Sequence, residues 1–209
     1  MQIPIEIKER LKYIIEYSWE LFKLQSSHHK FSIYKEASMQ LHFSSLIKIL
    51  GELMCISPGD EFKISLEKTI NYGDGKGEID IFCELNGEKV GIELKCFRKL
   101  ASSGKPRGAQ DISMRGVFED IESIEKLIKD NKISFGFAFV MTDDNMIVNG
   151  KHAIGAMNAY SIKEGRKYKK GEVLDIPIGK SKIKVSLNND YEFNWDKTGD
   201  FYFLKEAII

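Results

Sequence analysis

Three residues in the segment GEIDIFCELNGEKVGIELK have the types and the spacing of a catalytic group. Asp80 precedes the dipeptide Asn86-Gly87, and Glu93 and Lys95 follow it. Asn-Gly favours a two-residue hairpin turn of type I′, because both central positions of that turn need positive φ. Counting outwards from the turn places Asp80 directly opposite Glu93. The sequence therefore predicts two acids that face each other across a β-hairpin.

A divalent cation is the simplest way to offset the repulsion between these two acids. Carboxylates directly across a ladder have Cβ atoms about 4.5 to 5.5 Å apart, and like charges there are destabilising. Hard cations such as Mg²⁺ take oxygen ligands, so we expect Asp80 and Glu93 to bind Mg²⁺, with Mn²⁺ as a substitute. Lys95 projects from the same face as Glu93. Its ammonium can hold or help to deprotonate a water, or stabilise charge that builds up on a phosphoryl oxygen. The alternative is a solvated hairpin surface without a metal.

The opposite face of the predicted hairpin is apolar. It pairs Cys83 with Val90, Ile81 with Ile92 and Ile79 with Leu94. This pattern fixes the register, because a slip of one residue would place charges among the apolar side chains. On the acidic face Gly91 lies opposite Phe82, and we expect the glycine to leave room beside the acid pair.

The remaining elements must position this hairpin. Hydrophobic periodicity predicts helices over 4–24, 33–54 and 111–130, and strands over 61–70 and 133–141. The inward faces of the first two helices are predicted to be Ile7, Leu11, Ile14, Ile15, Trp19 and Phe22, and then Ala37, Leu41, Phe43, Leu46, Leu50 and Met54. Further short strands are expected over 175–178, 182–187, 191–195 and 200–204. This order predicts an α/β fold, a three-layer αβα sandwich around a central mixed β-sheet, in one domain that spans residues 1–209.

Composition narrows the setting but not the function. The 209 residues contain 31 basic and 31 acidic side chains, so that any basic surface must be local. The three cysteines, an odd number without a C-x-x-C pair, argue for a reducing compartment and against a disulfide framework. Apolar runs are too short for a membrane span, and the first residues lack the apolar core of a signal peptide. We therefore expect a cytoplasmic protein without a membrane partner.

An aspartate, a hairpin and then Glu-x-Lys resembles the core of the PD-(D/E)xK nuclease superfamily. The resemblance rests on Asp80 in GEIDIF and on Glu93 and Lys95 in GIELK, and it covers about residues 34–144. Ile79 stands where the name-giving proline would be. The resemblance implies a restriction-endonuclease-like fold and Mg²⁺-dependent hydrolysis of phosphodiester bonds in DNA, by a type II restriction endonuclease or a related defence nuclease. It also implies that the backbone carbonyl of Leu94 is a further metal ligand.

Members of this superfamily usually place a helix with a glutamate before the sheet. In YKEASMQL that residue would be Glu36, with Gln40 one turn further along the same side of the helix. Glu52, near the end of the same helix, is the competing choice. Glu36 would complete the metal shell.

Two basic segments are candidates for contact with DNA phosphates, although both are also typical of solvated loops. They contribute Lys105 and Arg107 in KPRG, and Arg166, Lys167, Lys169 and Lys170 around Tyr168 in EGRKYKKG. As partners the resemblance implies DNA, and it leaves open a homodimer, a cognate methyltransferase or a larger complex. The alternative function is a catalytically inactive nucleic-acid-binding or interaction module with the same fold.

Overall fold

The computed structural model describes residues 4–73, 75–100, 104–105, 110–177 and 184–209. Its helices are α1 (Ile7–Ser27), α2 (Glu36–Leu53), α3 (Gln110–Lys129) and α4 (Asn145–Val148), and a 3-10 helix covers Gly155–Tyr160. Its strands are β1 (Phe62–Tyr72), β2 (Gly75–Leu85), β3 (Glu88–Phe97), β4 (Phe135–Thr142), β5 (Arg166–Tyr168), β6 (Val173–Leu174), β7 (Val185–Ser186), β8 (Tyr191–Phe193), β9 (Trp195–Thr198) and β10 (Phe201–Ile208).

A six-stranded mixed sheet forms the centre of the fold. Its strand order is β1-β2-β3-β4-β10-β9, so β1 and β9 are the edge strands. β3 and β4 are parallel and are joined through α3, whereas the other neighbours are antiparallel. All eight residues of β4 are buried, as expected for a central strand covered on both faces. The predicted α/β class with a central mixed sheet is confirmed.

Helices cover both faces of this sheet. On one face α1 and α2 share a core with the side chains of Ile81, Ile92 and Phe139. On the other face α3 packs against Val140 and Leu204 together with the small sheets β5–β8 and β6–β7. The alternation of β3 explains this arrangement, because successive side chains of a strand point to opposite faces.

The predicted apolar stripe of α1 is confirmed, but that of α2 is partly wrong. Leu11, Ile14, Ile15, Trp19 and Phe22 in α1 are all buried. In α2, Ala37 and Leu41 are exposed, and the buried residues are Met39, Phe43, Ser44, Ile47 and Gly51. A spacing of four residues places Met39, Phe43 and Ile47 on one face. Two neighbouring faces of α2 carry apolar residues, so the periodicity of the sequence does not decide which of the two faces is buried.

The region after α4 differs most from the sequence prediction. The expected strand over 175–178 is absent at residues 175–177, and residue 178 lies outside the described residues. The strand expected over 182–187 is limited to β7, with 182 and 183 outside the described residues. The strand expected over 191–195 is divided into β8 and the start of β9, whereas β10 runs further than predicted.

Two observations concern the predictions from composition. Cys55, Cys83 and Cys96 are free thiols. Within the described ranges, no helix has both the length and the apolar character that crossing a bilayer requires.

Candidate active site

The hairpin of β2 and β3 forms with the predicted turn and register. Asn86 and Gly87 have φ angles of 50° and 88°, as a type I′ turn requires. Five pairs follow the predicted register, from Leu85 with Glu88 to Ile81 with Ile92. The register is therefore confirmed from the turn as far as Ile81 and Ile92.

The two strands separate at Asp80, so that the β2–β3 ladder ends at Ile81 and Ile92 and the predicted ladder pairs of Asp80 with Glu93 and of Ile79 with Leu94 do not form. The Leu94 backbone N–H donates to Asp80 Oδ2 at 2.7 Å, so the aspartate side chain occupies the place of the next ladder bond. The ladder between β1 and β2 is also interrupted here, because Glu67 and Asp80 do not form a pair. Glu67 has a φ of 49°, a strained value for a residue other than glycine. Asp80 is thus held at a local distortion of the sheet.

This distortion changes the face that Ile79 occupies. The prediction paired Ile79 with Leu94 on the face of Ile81 and Cys83, and this pairing is wrong. Ile79 packs in the core under α3, whereas Leu94 and Ile81 pack in the core under α1 and α2. Neither strand gains a residue here, since Leu66 pairs with Ile81 and Lys68 pairs with Ile79. The side chains change face across the one distorted position.

The role predicted for Gly91 is also wrong. Gly91 does lie opposite Phe82. A Cβ on Gly91 would lie 3.1 Å from Ile133 Cδ1 and 3.6 Å from Ile79 Cγ2, so the space beside the glycine is filled by these two side chains. Gly91 permits close packing there and does not leave room for an ion.

The carboxyl groups of Asp80 and Glu93 lie close enough for each to change the pKa of the other. Burial, together with the charges of Asp120 and Asp80, raises the pKa of Glu93 to about 10. Burial also raises the pKa of Asp80, although the Leu94 N–H and the Lys95 charge oppose the rise. Glu93 is only 6% exposed, and because the pKa of each carboxyl is raised, the pair favours retention of a shared proton.

Lys95 lies between acids from two helices. Its Nζ is 2.6 Å from Asp120 Oδ2 and 4.0 Å from Glu36 Oε2, and it donates to the Leu94 carbonyl oxygen at 3.2 Å. Burial alone would lower the pKa of Lys95, but Asp120, Glu36 and Glu93 together outweigh burial and raise it. The side chain therefore remains a cation.

Asp120 is a member of this cluster that the sequence analysis missed. It lies on α3, and burial raises its pKa to about 7 although Lys95 opposes the rise. Gly116, one turn earlier in α3, leaves space for the side chain of Lys95, since a Cβ at Gly116 would lie 3.3 Å from Lys95 Cε. A glycine inside a helical pattern is a sign of close approach, and the spacing of Gly116 and Asp120 is the one signal that pointed to this contact.

The first residue of α2 is the helical acid of the site. Glu36 lies close to Lys95, and it accepts a hydrogen bond from the backbone of Cys96. Burial raises the pKa of Glu36, while Lys95 lowers it and Asp80 raises it further. Glu52 lies at the other end of α2 and pairs with Lys48. The structure thus brings Glu36, and not Glu52, to the hairpin.

Gln40 connects the same helix to the distorted point of the sheet. Its Nε2 donates to the backbone carbonyl of Asp80 at 2.9 Å and also to the carboxylate of Glu67. One amide group therefore holds both residues of the interrupted pair. Glu67 is the second residue near the site that the sequence analysis did not identify.

The donor set fits a hard divalent cation in its chemistry. Four carboxyl groups, from Glu36, Asp80, Glu93 and Asp120, surround the single ammonium of Lys95, and a cation would offset the excess of acids. Two carboxylates and a carbonyl oxygen are ligands that Mg²⁺ accepts. No group of three or more His, Cys, Asp or Glu residues has a metal-holding arrangement in the described part of the chain.

Three of the basic residues predicted to contact DNA have partners within the protein. Lys167 pairs with Glu192 and Lys169 pairs with Asp190. Arg166 lies over the ring of Tyr168 in β5, so this segment begins as a strand and not as a loop. The side chains of these residues therefore support the small β5–β8 sheet. The other residues of the prediction are the following: Lys170, whose backbone N–H donates to Asp190; Lys105, which is exposed; and Arg107, which is outside the described residues.

Comparisons of the chain with protein-family models, with curated proteins and with solved structures find no match. The geometry of the cluster around Lys95 is therefore the basis for any conclusion about function.

Proposed function

We propose that the protein is a Mg²⁺-dependent nuclease that hydrolyses phosphodiester bonds in DNA, with a restriction-endonuclease-like fold. The observation that carries the proposal is the convergence of Glu36, Asp80, Glu93 and Lys95 at the point where β2 and β3 separate. A type II restriction endonuclease or a related defence nuclease is the setting that the motif favours. The choice of DNA comes from the resemblance to the PD-(D/E)xK superfamily.

In this proposal Asp80, Glu93 and the carbonyl oxygen of Leu94 hold the metal ion, and Glu36 completes its shell. The bound ion would activate a water and neutralise charge on the scissile phosphate. Replacement of the shared proton of Asp80 and Glu93 by a cation would leave both groups ionised. Their raised pKa values favour binding of a positive charge over two free carboxylates.

Lys95 acts in this proposal as a donor to the phosphoryl oxygen. Because its pKa is raised, it keeps its proton and cannot serve as the base that accepts one from water. A fixed ammonium aimed at the site where negative charge develops is a common source of transition-state stabilisation. Asp120 and Glu36 set the position of this ammonium.

Cleavage of plasmid and of single-stranded DNA in Mg²⁺ or Mn²⁺ tests the proposal. The wild-type protein should cut and EDTA should stop it, and Lys95→Ala and Glu93→Gln should each reduce the rate at least 100-fold. Glu52→Gln is the matched control, since Glu52 is an exposed acid of α2 that pairs with Lys48, and this variant should cut like the wild type. Cleavage that survives both site substitutions would contradict the proposal.

The second candidate is an inactive nucleic-acid-binding module, which is favoured by the lack of a metal-holding triad in the described residues. A thermal-shift measurement separates the two. For the nuclease, Mg²⁺ or Mn²⁺ should raise the melting temperature, because a ligand that binds only the folded state stabilises it, and Asp80→Ala should abolish the rise. For the inactive module, the metal should have no effect and Asp80→Ala should leave DNA binding intact.

A further inference from the structure

A groove on the β1–β2 side of the sheet carries unneutralised positive charge. It has a volume of about 350 Å³. The residues that line it and matter for its chemistry are Lys68, Asn71, Phe82, Glu84, Lys89 and Lys132. Three lysines against one glutamate leave two excess positive charges. This groove played no part in the sequence analysis.

The single acid of the groove, Glu84, has a lysine on each neighbouring strand, and one of these lysines lies outside the groove. Glu84 lies opposite Lys89 in the β2–β3 ladder and opposite Lys63 in the β1–β2 ladder. Among the described residues, neither Lys68 nor Lys89 nor Lys132 has a carboxylate within salt-bridge distance. The positive charge of the groove is therefore available to a ligand.

Contacts in the groove fix the side chain of Lys68 and the backbones of Lys89 and Lys132. The ammonium of Lys68 lies 3.5 Å from the centre of the Phe82 ring, which fixes it over a buried aromatic face. The Lys132 backbone N–H donates to the Leu127 carbonyl at the end of α3, and the Ser134 N–H donates to the Lys89 carbonyl at 2.8 Å. These two bonds place the chain around Lys132 beside the start of β3. A ligand would therefore meet one ammonium group that is already positioned, that of Lys68, and two lysines whose backbones are fixed beside each other.

The polar character of the groove suits a phosphate backbone. Lysines bind phosphate as point charges, and the side chain of Asn71 offers amide donors beside them. Phe82 is two residues from Asp80 in β2, which corresponds to about 7 Å along a strand. A chain of phosphates that occupies the groove would thus lie next to the strand that carries the candidate active site.

We propose that this groove binds the phosphate backbone of nucleic acid, and that Lys68, Lys89 and Lys132 contact it. The choice of ligand rests on the proposed function. The groove replaces the segment around Tyr168 as the main phosphate-contacting surface, because Lys167 and Lys169 there are already paired with acids.

Fluorescence anisotropy with labelled single-stranded and duplex DNA, measured in EDTA over a range of salt concentrations, tests this inference without cleavage. The double variant Lys68→Gln/Lys132→Gln should bind at least tenfold more weakly at low salt. Its slope of log affinity against log salt should be smaller by about 2, because each lysine that contacts a phosphate contributes about one to that slope. The melting temperature of each variant confirms that it is folded.

Lys167→Gln/Lys169→Gln is the matched control, since it removes the same charge from lysines that are paired. It should change the affinity no more than twofold and leave the slope unchanged. Equal losses in the two double variants, wild-type affinity in the groove variant, or no binding by the wild-type protein would each overturn the inference.

The outcome is separate from that of the cleavage assay. If the wild-type protein binds DNA through the groove but does not cut it, the nuclease proposal fails and the groove stands. If the wild-type protein cuts DNA and the groove variant binds and cuts equally well, the groove inference fails alone.

Discussion

At the scale of single residues, Asp120 is the least expected member of the candidate site. It forms the shortest ion pair of Lys95, at 2.6 Å, and it is also the second cause, after burial, of the raised pKa of Glu93. Asp120 therefore acts on the site in two ways. It holds the ammonium, and its charge keeps the proton on the acid pair.

Asp120→Asn should lower the pKa of Glu93. Asp120 has a pKa of about 7, so it is ionised in the range near pH 10 where Glu93 titrates, and the substitution removes that like charge. Titration of the side-chain carboxyl carbons by NMR measures the effect. Glu122→Gln is the control on the same helix, because Glu122 pairs with Lys126 and accepts from Ser186. An unchanged or higher pKa in Asp120→Asn would contradict the assignment.

The residues of the hairpin could be predicted because they lie close to each other in the sequence, on either side of a distinctive turn dipeptide. Asn86-Gly87 fixes the register as far as Ile81 and Ile92, and Asp80 and Glu93 are the residues that follow this last pair on the two strands. Asp120 could not be predicted in this way, since its contact with Lys95 depends on how α3 packs across the sheet. Sequence periodicity gives the inward face of a helix but not the residue that it meets.

At the scale of elements, the interruption of the β1–β2 ladder decides the geometry of the site. Glu67 adopts a left-handed conformation in the middle of a strand, and Gln40 of α2 holds both Glu67 and the backbone of Asp80. Strain of this kind persists only where the surroundings fix it. Here it turns Asp80 towards Leu94, away from a regular pair.

Glu67→Gly should give a protein more stable than Glu67→Ala by about 1 kcal/mol. Both variants remove the carboxylate, but only glycine adopts a φ of 49° without steric strain. Urea unfolding at neutral pH measures the difference. At Thr69, in the same strand with ordinary backbone angles, the order should be reversed, since glycine weakens a regular strand. If alanine is equal or better at position 67, the strain is absent.

The elements with strong periodicity were predicted with nearly correct bounds, and the weak ones were not. α1 and β4 carry long apolar patterns that are compatible with only one type of element in each case. The short strands β5 to β8 have two or three residues each and exist because they pack on α3, where Glu125 accepts hydrogen bonds from Asn188 and the Tyr191 hydroxyl. Such tertiary support leaves no local pattern in the sequence.

At the scale of the whole molecule, one buried acid connects folding to pH outside the candidate site. Glu206 in β10 is 9% exposed, and the alternation of the strand places it on the same face as Leu204 and Ile208, which pack in the core under α3. Burial and the charge of Glu192 raise its pKa to about 8. The folded state thus binds this proton more tightly than the unfolded chain does. The corresponding stabilisation is complete below about pH 4.5 and is lost as the pH rises through 8.

Glu206→Gln should therefore be more stable than the wild type at high pH and nearly equal to it at low pH. We expect a difference of a few kcal/mol in the free energy of unfolding at pH 8.5 and almost none at pH 4.5, from urea titrations at both values. Glu61→Gln, at an exposed position, controls for a general change of charge and should show no such trend. A difference that does not depend on pH would contradict the raised pKa.

The distortion at Glu67 also has a consequence for how copies of the chain behave towards one another. β1 lies at the rim of the sheet, and a regular strand there would offer an uninterrupted row of backbone donors and acceptors to a neighbouring molecule. The left-handed φ of Glu67 interrupts that row, and Lys68 places a charge next to the interruption. An interrupted and charged edge opposes pairing between copies, so the distortion that shapes the acid cluster also makes β1 a poorer template for edge-to-edge aggregation.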